Sequence, residues 1–167
     1  MKLLLHSCCA PCSIACVEVL RKESIKPHLF WYNPNIHPLS EYEMRRDCLK
    51  RFSESEQLPL TLIDEHGLEL TGSPPVRCEK CYRMRLEKAA FFASENGFSA
   101  FTTTLLISPY QNHEAIKLIA EECAKKYSVV FLYHDFRSMF REGQASARAQ
   151  NMYMQKYCGC VFSKEES

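Results

Sequence analysis

Two kinds of hydrophobic pattern alternate along the chain. Short apolar or aromatic runs stand at 2–6, 28–32, 60–63, 99–104 and 128–133. Each is bounded by polar or turn-forming residues and predicts a strand. Between them lie longer stretches whose apolar positions recur every three or four residues, the helical period. These predict helices over 11–23, 40–57, 77–96 and 112–126, with Ile14, Val17 and Leu20 on one face of the first. Local signals mark the ends. Pro11 suits the first helical position, where a missing N–H costs nothing. Ser40 with Glu43 reads as a capping box, and Gly97 is placed to end the third helix. Residues 33–38 (Asn-Pro-Asn-Ile-His-Pro) and 64–76 read as loops. From Asp135 the chain turns polar and helical again, in two pieces broken near Gly143, and ends in Cys158-Gly159-Cys160-Val161-Phe162.

Strands alternating with helices predict an α/β fold. The expectation is one domain over 1–167, a Rossmann-like parallel sheet with helices on both faces. A C-terminal helical segment would end in the Cys-Gly-Cys motif. In open sheets of this kind, ligands bind beyond the carboxyl ends of the strands, where the strand order reverses. Here the strands are followed by Ser7-Cys8-Cys9, by Asn33-Pro34-Asn35, by the loop into Cys78 and Cys81, by Thr104 and Ser108, and by His134-Asp135-Phe136-Arg137. Polar and sulfur groups collect at that one edge.

Composition narrows the picture. Lysine and arginine number 21 against 20 acidic residues, a net charge of +1. Nucleic-acid binding would therefore come from a local patch, not from bulk charge. No run reaches the roughly 18 apolar residues of a membrane span. Leu3-Leu4-Leu5 is shorter than the roughly 7–15 residues of a signal peptide's apolar region. A cytoplasmic protein is expected. Ten cysteines in such a chain read as metal ligands or redox groups rather than as a secreted disulfide framework. Cys16, Cys48 and Cys123 lie inside helical patterns and read as core or surface fillers.

Three cysteine clusters remain. Cys8, Cys9 and Cys12 put soft sulfur ligands at a strand-to-helix turn, where free N–H groups favour thiolates. Cys78-Glu79-Lys80-Cys81 is a C-x2-C unit. With Cys8 and Cys9 it makes four thiolates, enough for a structural zinc or for an iron–sulfur cubane. Cys12 is the substitute if one of the four is not a ligand. Cys158-Gly159-Cys160 closes a small ring whose disulfide would be strained and labile. It reads as a two-electron dithiol or as a metal-binding pair. Arginines and lysines flank these clusters: Arg45, Arg46, Lys50 and Arg51; Arg77, Lys80, Arg83, Arg85 and Lys88; Arg137, Arg141 and Arg148. Together they read as a phosphate-binding rim, with Arg83 and Arg85 as its candidate RNA contacts, or as solvated helix faces. Trp31, Tyr32, Tyr42, Tyr82, Tyr110 and Tyr157 read either as base-stacking platforms or as core.

A resemblance rests on an ordered set of motifs: His6-Ser7-Cys8-Cys9-Ala10-Pro11-Cys12, Asn33-Pro34-Asn35-Ile36-His37-Pro38, Arg77-Cys78-Glu79-Lys80-Cys81-Tyr82, the stretch from Phe101 to Tyr110, Asp135-Phe136-Arg137 and Tyr157-Cys158-Gly159-Cys160. In these the chain resembles the cobalamin-independent epoxyqueuosine reductase family, QueH, from residue 1 to about residue 163. Residues 72–76 depart from the Glu/Gly-rich approach to Cys78 expected there. The resemblance implies a HUP-type, adenine-nucleotide-α-hydrolase-like sheet. The Gly/Ser-rich loop of that superfamily's ATP users is replaced by Cys8-Cys9, which argues against ATP. It implies the last step of tRNA queuosine biosynthesis, in which the epoxide of epoxyqueuosine at the wobble position of the anticodon is reduced to an alkene. It implies a [4Fe–4S] cluster, assigned to Cys8, Cys9, Cys78 and Cys81, and a redox dithiol, Cys158 with Cys160. An additional iron ion is a candidate, with Cys12 and Asp135 as its ligands. His134, Asp135 and Arg137 are candidates for protonating or positioning the substrate, and Tyr157 for contacting its base. The tRNA is the partner, and the external electron donor is left open. Two competing readings are a zinc-stabilised RNA-binding module and a thiol–disulfide oxidoreductase.

Overall fold

A computed structural model describes residues 1–160. Val161 and Phe162, at the predicted end of the motif, lie outside the described residues. The elements run β1 (Leu3–His6), α1 (Ala10–Lys22), β2 (His28–Trp31), α2 (Leu39–Ser55), β3 (Leu60–Leu62), α3 (Val76–Glu95), β4 (Ala100–Thr103), α4 (His113–Tyr127), β5 (Val130–Phe131) and α5 (Phe140–Ala149). The strands form one all-parallel sheet in the order β3-β2-β1-β4-β5. Every residue of β1 and β4 is buried, as both faces of a central parallel strand must be. Leu5 stands beside Leu29 on one side and Thr102 on the other. Right-handed crossovers that run one way from β1 and the other way from β4 put their helices on opposite faces. The packing agrees: α1 contacts α2 and α5, while α3 contacts α4, β1 and β4. The order reverses between β1 and β4, so the crevice beyond these two strands is the place for a ligand.

Several boundaries differ from the sequence reading for local reasons. The cap of α2 is Pro38, whose carbonyl accepts the N–H of Glu41 and of Tyr42. Ser40 already lies inside the helix, so no capping box forms. Pro11 falls one residue inside α1, because Cys9 is the cap. Gly143 does not break a helix. A short 3-10 turn over Arg137–Met139 precedes α5, and Gly143 sits within α5, where a Cβ would meet Ala15 Cβ at 3.3 Å. Close approach to α1, not a bend, requires the glycine. β5 is shorter than predicted because Ser128, with φ +55°, ends α4, and Val129 N–H returns to the Ala124 carbonyl. Gly97 (φ +74°) follows the cap of α3 as expected, with Phe98 N–H closing on the Ala93 carbonyl. The chain after α5 is not helical: residues 150–160 reach Cys158 and Cys160 as irregular chain.

The core holds Phe30, Trp31, Tyr42 and Phe101, all fully buried. Trp31 Nε1 donates to Tyr42 Oη at 3.1 Å, and Tyr42 Oη donates to Asp64 at 2.8 Å. Of the aromatics weighed as stacking platforms, Trp31, Tyr32, Tyr42 and Tyr82 are core. Cys16, Cys48 and Cys123 are also buried in the core. No helix among the described residues is long and apolar enough to cross a membrane.

Candidate active site

β1 ends in a tight turn that makes Cys9 the cap of α1. Its Sγ accepts the Cys12 N–H at 3.4 Å. The sulfurs of Cys8, Cys9 and Cys12 all lie within 4.8 Å of one another, close enough to share a metal ion. Thr104, at the end of β4, receives the Cys8 N–H at 3.1 Å and donates its hydroxyl to Cys8 Sγ at 3.3 Å. Hydrogen bonds from Cys12 and Cys9 therefore hold the Cys8 thiol well below its ordinary pKa, despite burial. Cys12 is pushed up by its bonds to Cys8 and Cys9 and by burial. Cys9 is stabilised as thiolate by Cys12, but its bond to Cys8 and its burial outweigh that and raise it. A coordinated metal would deprotonate all three.

Beneath this turn, buried His6 ties three strand ends together. Its Nδ1 faces Thr103 Oγ1 at 2.9 Å and its Nε2 faces Asn33 Oδ1 at 3.0 Å. Asn33 Oδ1 can only accept, so the imidazole proton sits on Nε2 and the Thr103 hydroxyl, which also accepts the Leu105 N–H, donates to Nδ1. Asn33 in turn donates to the Ser7 carbonyl at 3.1 Å.

The second pair arrives on α3. Cys81 Sγ receives Asn35 Nδ2–H at 3.4 Å, and Arg85 donates to Asn35 Oδ1 through Nη2 at 2.7 Å and Nε at 3.3 Å. Cys78 is raised by burial and by the neighbouring sulfurs of Cys158 and Cys81. The third pair comes with the C-terminal segment, which Arg45 of α2 holds down. Arg45 Nη2 and Nη1 donate to the carbonyls of Tyr157 (2.8 Å) and Cys158 (2.9 Å), while Nε pairs with Glu41 at 2.7 Å. His37 N–H donates to the Gly159 carbonyl at 2.7 Å, Tyr157 Oη donates to the His37 carbonyl, and Tyr153 Oη donates to Glu41. Gly159, at φ +117°, has room for no Cβ: one would stand 2.8 Å from Arg45 Nη1. Cys158 and Cys160 bring their sulfurs to 3.9 Å.

These three segments enclose one cavity of about 380 Å³. Cys8, Cys12, Cys78, Cys81, Cys158 and Cys160 line it, with Asn35, Arg77, Arg85 and Thr104. Tyr82, Tyr110, Gln111, Phe140, Gln144 and Tyr157 complete the wall. Cys9 is enclosed just behind Cys8 and Cys12. Other expected site residues lie elsewhere. Asp135 and Arg137 bond each other at 2.7 and 2.8 Å, which holds the Asp135 carboxyl at about 2. His134 bonds Glu23 at 2.9 Å and stacks on Phe136. Arg83 is exposed and paired with Glu122 of α4 at 2.7 Å. None of these four is among the cavity's lining residues. The basic rim is accordingly divided. Arg45, Arg77 and Arg85 are buried at the cavity, and Arg46 pairs with Asp47 and Asp64. Sequence reasoning missed Gln111, Gln144 and Phe140 as cavity wall. It also missed the part played by Arg45, whose i,i+4 spacing from Glu41 was the available signal.

The chain is similar throughout its length to known proteins. A family model described as epoxyqueuosine reductase QueH matches residues 3–166. The epoxyqueuosine reductase QueH of Histophilus somni is 39% identical over 99% of this chain and 73% of its own length. That of Dehalococcoides mccartyi is 33% identical over 99% of this chain and 93% of its own. That of Thermotoga maritima is 34% identical over 96% and 88%.

Proposed function

The chain belongs to the QueH family and its function is epoxyqueuosine reduction; from that premise we propose that the cysteine-lined cavity houses the reaction on tRNA. The single observation that carries the proposal is the convergence of all three cysteine clusters on one cavity at the point where the strand order reverses. The donor set fits a thiophilic centre: three sulfurs within 4.8 Å, two more on α3 across the same cavity, and no hard oxygen ligand among them. Cys8, Cys9, Cys78 and Cys81 would hold a [4Fe–4S] cluster. The Cys12 N–H that reaches Cys9 Sγ suits a coordinated thiolate. Cys12 itself remains beside them for an additional iron ion. Such a cluster supplies, when bound, electron transfer and a Lewis-acidic iron for an oxygen. The parallel sheet is read as HUP-type, with the cysteine turn where nucleotide-using relatives carry a glycine-rich loop.

The protein's own groups account for the electron balance. Cys158 and Cys160 lose two thiol protons and two electrons as an S–S bond forms. The epoxide loses both C–O bonds, gains the alkene π bond, and its oxygen leaves as water with those two protons and electrons. The 3.9 Å sulfur separation and the Arg45 clamp support this assignment. Tyr110, 84% exposed at the cavity wall and 5.8 Å from the Phe140 ring, offers an aromatic platform for an unpaired base. Thiolate chemistry of this kind and a tRNA substrate suit a reducing cytoplasm.

The test is the pair of variants Cys158→Ala and Cys160→Ala, purified anaerobically. Both are expected to keep wild-type iron, sulfide and visible absorbance while losing multiple-turnover epoxide reduction. After a single turnover, alkylation and peptide mass spectrometry of the wild type should find the 158–160 disulfide. Loss of iron from either variant would move the pair into the metal centre and refute the dithiol.

A further inference from the structure

Arg85 is 4% exposed and lies in a cavity wall to which six cysteines contribute. Its Nη2 and Nε share one acceptor, Asn35 Oδ1, and Asn35 passes its own N–H to Cys81 Sγ. Among the described residues no carboxylate stands within ion-pair distance of it. Another buried arginine at this edge differs: Arg45 holds Glu41 at 2.7 Å. A guanidinium does not give up its proton in a protein. Burying one without a counter-charge is strongly unfavourable, and a carboxamide oxygen offers only a partial charge. The compensating charge therefore belongs to what fills the cavity. Four thiolates around a zinc ion, or around an iron–sulfur cluster, leave a net negative charge in that space.

We propose that Arg85 is the counter-ion of the cavity's occupant, a positioning residue that balances a thiolate-ligated metal centre and acts on Cys81 through Asn35. The proposal rests on the reading of Cys81 as a ligand. It requires Arg85 to act with opposite sign in the two forms of the protein. In the metal-free protein it is an uncompensated buried charge and lowers stability. In the loaded protein it retains the metal. Hydrogen bonds and positive charge at ligand sulfurs also make a cluster easier to reduce.

Three variants test this on anaerobic full-length protein. Arg85→Met removes the charge, Asn35→Asp neutralises it in place with a near-isosteric carboxylate, and Arg85→Lys keeps it. For the first two, the metal-free melting temperature is expected to rise. Metal loss to excess chelator should become about tenfold faster, and a dye-mediated titration should give a more negative midpoint potential. Arg85→Lys should resemble the wild type in the sign of all three. Unchanged metal loss and potential in both Arg85→Met and Asn35→Asp would overturn the proposal, whatever the melting temperatures do. Wild-type protein that holds zinc alone would refute the iron–sulfur reading above, and the zinc-loss rates would then decide for or against Arg85. Wild-type protein that binds neither metal would overturn the counter-ion.

Discussion

His6 and Arg45 show how much a single side chain carries here. His6 is fully enclosed, and burial, with the positive charge of Arg85, lowers its pKa to about 4 against the partial offset of Cys8 and Asn33. The unfolded chain, with an ordinary pKa of about 6.5, takes up the proton first. Stability is therefore complete above about pH 6.5 and is lost as pH falls toward 4, by about 3 kcal/mol in all. His6→Gln, which keeps a partner for Thr103 or Asn33, should flatten that segment of the stability–pH curve in metal-free protein, measured by urea melts from pH 4 to 7. A wild-type slope in the variant would refute the assignment. The cysteines were legible in the sequence because sulfur is rare and its spacing is meaningful. The arginines were not, since a helix face reads the same whether its cation meets water, a carboxylate or a backbone carbonyl. Only the fold shows that Arg45 meets two carbonyls, Arg83 a glutamate and Arg85 an asparagine.

At the scale of elements, hydrophobic period located all five strands and the four main helices, because burial on two faces or one stripe leaves different patterns. Ends depended on backbone bonding. Gly97 was readable, as a left-handed residue after a helix favours glycine. Gly143 was misread, because the same residue type also serves where two helices touch. The contact of α5 with α1 predicts an unequal response to size. Gly143→Ala should fall within about 1 kcal/mol of wild type, helix propensity offsetting the close Ala15 contact. Gly143→Leu should cost about 1–3 kcal/mol through overpacking. Chemical denaturation of the two variants checks this, and equal stabilities would mean that α5 lifts freely from α1. Since Phe140 and Gln144 of α5 line the cavity, Gly143→Leu should also disturb the wall beside Tyr110.

For the whole molecule, the proposed metal centre would be a cross-link between the turn after β1 and the start of α3. Binding that favours only the folded state stabilises it by about 4 kcal/mol at a thousandfold excess over the dissociation constant. Chelation should therefore lower the melting temperature of the wild type. Cys78→Ala should lose iron and melt like chelated wild type, while Cys48→Ala and Cys123→Ala, buried away from the cavity, should keep full iron. Full iron in Cys78→Ala would refute its place in the centre. The edge of the sheet where this happens was legible from strand–helix alternation alone. The absence of His134, Asp135 and Arg137 from the cavity lining was not, because direction beyond a short edge strand is set by tertiary packing.

The strand order also sets a schedule. β1 needs β4 on one side, and Thr103, which meets His6, follows it by 97 residues. A chain made at roughly 5–20 residues per second leaves the turn of Cys8, Cys9 and Cys12 without that neighbour for roughly 5–20 seconds, and Cys158 comes later still. During synthesis the first three sulfurs stand open to any thiophilic ion, before the walls that shape the finished cavity exist. Metallation of the proposed centre would therefore be a contest between early capture by the nascent turn and late delivery to the completed fold.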